Sequence, residues 1–165
     1  MIELSLLGPH ALHGSDGREL TSLPAQPKRF ALLAYLAIGG AGYHRRDTLT
    51  ALFWPDLDQF AARRALRNTL YHLREALGNG VIVTRGDDAV SINPDMLTSD
   101  VKKLVDAVAA GRYEEALDYS RGELLAGMHF VSAGEAFEEW LTQERLHLKE
   151  LLLRALVAAV DDLAD

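Results

Sequence analysis

Between Pro55 and Gly78 the chain carries Leu66, Leu70, Leu73 and Leu77, and their i, i+4, i+7, i+11 spacing keeps them in one narrow arc at about 100° per residue. A seam of that kind demands a helix with one buried edge, so the rest of the fold has to bring a core to it. Pro55 stops whatever helix precedes, Asp56 or Asp58 is placed to cap this one, and Gly78-Asn79-Gly80 supplies its stop. With the helix set over about 57–77, Arg64, Arg67, Asn68 and Tyr71 point away from the core. Arg63 and Arg74 flank the seam, where long stems cover apolar surface while the guanidinium groups reach outward. His72 lies beside the outward face, where its reading is divided between donating to phosphate and plain packing.

A solvated helix kept soluble by its charges is the bland explanation, but such faces usually mix signs. Here only Glu75 and the capping aspartates oppose the arginines. An outward set of Arg, Arg, Asn and Tyr suits the major groove of DNA: Arg reads guanine bidentately, Asn reads adenine, and Tyr donates to phosphate. A net charge of -7 would argue against nucleic acid if it were spread evenly. It is not. Residues 1–25 carry one Arg against three acids, residues 26–78 eight Lys and Arg against four acids, and residues 79–165 eight against seventeen. A basic middle joined to an acidic C-terminal part is expected of a DNA reader attached to something else.

The surrounding pattern sets a fold class. Ile2 to Leu7 alternates roughly with period two, Gly8-Pro9 turns the chain into Ala11-Leu12-His13, and Gly14 to Gly17 turns it again before Arg18-Glu19-Leu20, which reads as a small antiparallel sheet. Phe30, Leu32, Leu33, Leu36 and Ala37 then form a helical stripe from Pro27 to Gly39-Gly40. A short second helix spans His44 to Phe53, with Arg45 and Arg46 near its start facing a phosphate backbone. After the Leu-seamed helix, Val81-Ile82-Val83 and Ala89 to Ile92 pair as a β-hairpin, with Arg85 near its tip. Asn93-Pro94 closes this unit. Beyond it come a helix from Thr98, Ser99 or Asp100 to Ala110, a second over Arg112 to Ser120, a loop from Gly122 to Gly134, and one long helix or two from Glu135 to Asp165. The expectation is an α+β N-terminal domain over 1–95 and an all-α domain over 96–165.

The string WPDLDQFAARRALRNTLYHLREALGNG, after the LLAYLAIGG helix, resembles the winged helix-turn-helix domain of bacterial transcriptional activators called antibiotic regulatory proteins (SARP type), a branch of the response-regulator winged-helix fold. The segments AAGRYEEALDYSRGELLAGM and EEWLTQERLHL resemble the bacterial transcriptional activator domain (BTAD), an array of helix pairs similar to tetratricopeptide repeats. The resemblance implies that the 57–77 helix is a recognition helix and that the Thr84 to Asp88 turn is a wing. It implies that Trp54, Pro55, Asp56, Leu57 and Asp58 form a loop that touches RNA polymerase. Double-stranded DNA, RNA polymerase and a second copy on DNA are the partners that follow. Asp87-Asp88 beside Arg85 depart from a phosphate-binding wing, since two acids repel phosphate.

Other chemistries find little support. The chain has no Cys, which excludes disulfides and thiolate zinc, and His10 and His13 lack companions for a metal set. No Gly-rich phosphate loop is present, and Glu114-Glu115 and Glu138-Glu139 diverge on their helices rather than pairing. Neither an enzyme nor a cofactor is expected. The longest near-apolar run, Phe30 to Gly42, is too short for a membrane span, so a cytoplasmic protein is read. Trp140 is read as core. The apolar run from Leu151 to Leu163 asks for a further partner, either more of the chain, in which case the helical domain is incomplete, or a second copy. An adaptor that binds protein partners without touching DNA is the alternative function.

Overall fold

Ile2 and Leu4 turn inward and Glu3 outward along the first strand, as the alternation requires. The computed structural model describes residues 1–40, 42–128 and 134–165 and is a mixed α+β fold. In chain order its elements are β1 (Ile2–Ser5), β2 (Ala11–His13), α1 (Pro27–Ile38), β3 (His44–Arg45), α2 (Arg46–Phe53), α3 (Gln59–Leu77), β4 (Ile82–Arg85), β5 (Ala89–Ile92), β6 (Leu97–Ser99), α4 (Asp100–Ala109), α5 (Tyr113–Tyr119) and α6 (Glu135–Ala164).

Two three-stranded sheets form among the described residues. The first has the order β2-β1-β6, with β2 antiparallel to β1 and β6 parallel to it, Ile2 facing Leu97 and Leu4 facing Ser99. The expected N-terminal sheet is therefore mixed rather than antiparallel, and Arg18-Glu19-Leu20 contributes only a bridge between His13 and Glu19. The second sheet has the order β3-β5-β4, with β5 antiparallel to both neighbours. His44 and Arg45, expected in the second helix, are strand β3 instead, because pairing with Val90 and Ala89 holds them extended; the helix begins at Arg46. The part after residue 95 is likewise not all-α, since it opens with β6.

Ser99 and Asp100 sew this junction. The Ser99 hydroxyl accepts from the Lys102 N–H and so caps α4. The Asp100 carboxylate accepts from the N–H groups of Leu6 and Leu7 at 2.9 to 3.0 Å, satisfying backbone just beyond β1. Nearby, Gly8 holds φ +79° and lies so close to the 121–122 backbone that a Cβ would sit 2.8 Å from the Arg121 carbonyl oxygen. Only glycine fits there. The approach lets the Gly8 N–H donate to Glu123 at 3.0 Å and the Leu125 N–H donate to Leu6 at 2.8 Å.

The core is continuous across both halves. Every residue of α1 from Phe30 to Leu36 is buried, a wider face than the expected stripe, because α1 is covered on several sides. An aromatic cluster joins α1, α2 and α6: Tyr35 meets Trp140 at 4.9 Å between ring centroids, and Phe53 meets Phe137 at 5.0 Å. Helix α6 is one helix through Ala164, with Leu148, Leu151, Ala155 and Ala159 buried. Its C-terminal half also exposes Leu153, Leu156, Val157, Val160 and Leu163. Residues 129–133 of the expected 122–134 loop lie outside the described residues. No described helix is long and apolar enough to cross a membrane.

Candidate nucleic-acid interface

Helix α3 is fixed from both ends and from beneath. Asp58 is its N-cap, accepting from the Ala61 N–H at 2.8 Å, and Gly78 ends it at φ 91°. Its buried edge comprises Ala62, Leu66, Thr69, Leu70, Leu73 and Leu77. Thr69 enters this apolar edge because its hydroxyl donates to the Ala65 carbonyl at 2.9 Å, leaving its methyl to pack.

The opposite edge is open. Arg63, Arg64, Arg67, Asn68, Tyr71 and His72 are exposed, and Arg74 is half-buried. Helix α2 brings Arg46 against this row. Burial, followed by the charge of Arg74, holds the Arg46 guanidinium below the ordinary arginine pKa; Asp87 opposes the shift, and Arg67 and Arg63 add to it. Arg46 thus feels three neighbouring guanidinium groups and the Asp87 carboxylate. Arg46 Nε is buried and has no hydrogen-bond partner among the described residues. A partly buried cation beside like charges, with one donor to spare, is stabilised by an anion.

Three acidic residues bear on that surface. Asp47, in the first turn of α2, holds Arg63 at 2.8 Å, so Arg63 is already engaged in an ion pair. The backbone of Asp88 accepts from the Arg46 N–H at 2.8 Å, and the Asp87 charge favours the Arg46 cation. Asp87 thus supports the Arg46 cation by its charge, and Asp88 holds the start of α2 through its backbone carbonyl. Arg85 stacks over Tyr43, 4.6 Å from the ring centroid. It ends β4 opposite Ala89, and Gly86 with φ 59° makes the turn beyond it. Arg45 is exposed at the end of β3, where it is the N-cap residue of α2.

No protein-family model matches the chain, and no curated protein matches it.

The segment from Trp54 to Asp58 divides in two. Trp54 is half-buried beside Phe53, with the Lys28 ammonium 5.1 Å from its ring centroid, whereas Pro55, Asp56, Leu57 and Asp58 are exposed. Sequence reasoning missed Asp47, Tyr43 and Lys28, whose partners lie on other elements and leave no periodic trace. It also missed Phe60, for which a signal existed. Phe60 shares the row of Arg64, Arg67 and Tyr71 at i, i+4, i+7 and i+11, and the residue is 79% exposed.

Proposed function

We propose that the chain is a sequence-specific DNA-binding transcriptional regulator, an activator of the SARP type, built as a winged helix-turn-helix followed by a tetratricopeptide-like helical domain. The observation that carries this reading is the outward row of α3, where Arg64, Arg67, Asn68 and Tyr71 stand clear of the core beside the Arg46 and Arg74 guanidinium groups. In this account α3 enters the major groove. Arg67 and Asn68 meet base edges, Arg64, Arg74, Arg46 and Tyr71 hold phosphates, and the β4–β5 hairpin lies along the backbone as a wing. The exposed turn from Pro55 to Asp58 faces RNA polymerase, and two copies occupy the site.

Retardation of random-sequence duplexes at two salt concentrations tests the proposal. Binding is expected at low salt and falls steeply as salt rises, with about one unit of log-log slope lost for each phosphate-contacting Arg removed. Absence of any retardation at low salt would sink it. A second reading, an adaptor that grips a protein partner, draws on the exposed Leu153, Leu156, Val157 and Val160 of α6. Arg67→Glu separates the two: it lowers DNA affinity by about tenfold or more while the far-ultraviolet spectrum stays unchanged. On the adaptor reading the substitution is silent.

A further inference from the structure

Phe60 is the most exposed aromatic side chain among the described residues, and packing gives no account of it. It sits in the first turn of α3, one residue after the helix begins at Gln59. At about 100° per residue, Phe60, Arg64, Arg67 and Tyr71 fall within an arc of about 60°, on the side away from Leu66 and Leu70. An apolar ring therefore opens a row that is otherwise cationic and polar.

The position matters as much as the exposure. In a helix docked in the major groove, the N-terminal turns come closest to the base edges. The one apolar group that B-DNA displays there is the C5-methyl of thymine, which aromatic and aliphatic side chains contact. An exposed ring costs free energy in water and recovers it when a methyl group covers its face. Arginines further along the same row then set the depth and register of the ring by holding phosphates and guanine.

Resting on the DNA-binding reading, we propose that Phe60 is a specificity-determining residue that recognises the methyl group of a thymine in the major groove. Arg67 and Asn68 discriminate by hydrogen bonds, whereas Phe60 discriminates by apolar contact, so the preferred site carries a thymine next to the bases those residues read.

The test begins with duplexes that the wild-type chain selects from a random pool. Each thymine of the selected site is then replaced singly by deoxyuridine, which lacks only the methyl group. The expected result is one position at which wild-type binding weakens roughly fourfold, the worth of one buried methyl group, while Phe60→Ala is indifferent to the replacement. Phe60→Leu, which keeps an apolar contact, is expected to retain part of the sensitivity. Thermal melts of both variants confirm folding, which so exposed a side chain scarcely affects. If no thymine methyl matters, or if Phe60→Ala responds to its loss as the wild type does, the role of Phe60 is overturned and DNA binding stands. If the wild type selects no sequence, the sequence-specific reading falls and the proposal falls with it.

Discussion

His44 shows how strongly one residue is governed by its neighbours. Its ring lies 5.2 Å from that of Tyr35, and its Nε2 is buried without a hydrogen-bond partner among the described residues. Burial lowers its pKa below the ordinary 6.5, and a hydrogen bond with the Leu36 backbone only partly offsets this. Above that value His44 is neutral in the folded and unfolded chains alike and contributes no pH dependence. As pH falls through it, the unfolded chain takes up a proton that the folded chain resists, so stability declines. The melting temperature should therefore drop between about pH 7 and about pH 5 by more in the wild type than in His44→Gln. An equal drop in the two proteins would exclude His44 as the cause. Which arginines face outward was legible in the sequence because the Leu66 to Leu77 seam fixes the phase of α3. The environment of His44 was not, because Tyr35 and Leu36 reach it from α1. Asp47 and Arg63 are hidden for the same reason, being joined across a turn that no period describes.

At the scale of elements, helices with a strong period and clear stops emerged within a residue or two of their expected bounds. The leucines of α3 and the glycine after it leave little choice, and Pro27 with Gly39 frames α1 as firmly. Strands β3 and β6 were missed. Strand β6 has three residues, two of them Thr98 and Ser99, and Ser99 does cap a helix, so the local signal for a cap concealed a pairing with β1. Strand β3 has two residues and exists only because β5 lies beside it. Asp100 ties the β1 segment to α4, and Asp100→Ala leaves the Leu6 and Leu7 N–H groups without their acceptor. A loss of about 1 to 3 kcal/mol is expected, read as a lower urea midpoint at unchanged slope. A midpoint equal to the wild type's would mean that water replaces the carboxylate at no cost.

Across the whole molecule, the charge map was legible from composition by segment, while the joining of the two halves was not. Trp140, read as core, is half-buried against it, and its partner Tyr35 is more than a hundred positions away, with no spacing rule to link them. The cluster of Tyr35, Phe53, Phe137 and Trp140 makes the basic and acidic parts of the chain share one interior. Phe137→Ala is accordingly expected to cost about 3 to 5 kcal/mol. It should lower together the transitions seen by tryptophan fluorescence and by far-ultraviolet dichroism. Two separated transitions in the wild type would show that the halves unfold independently.

The parallel pairing of β6 with β1 also imposes a timetable. At synthesis rates of about 5 to 20 residues per second, β1 is made roughly 5 to 20 seconds before β6. The arginines of α3 are made within that interval, yet one side of β1 still offers unpaired backbone to any passing strand. A translational pause before residue 97 would lengthen this exposure, so the speed at which that stretch is read bears on how much of the chain escapes aggregation.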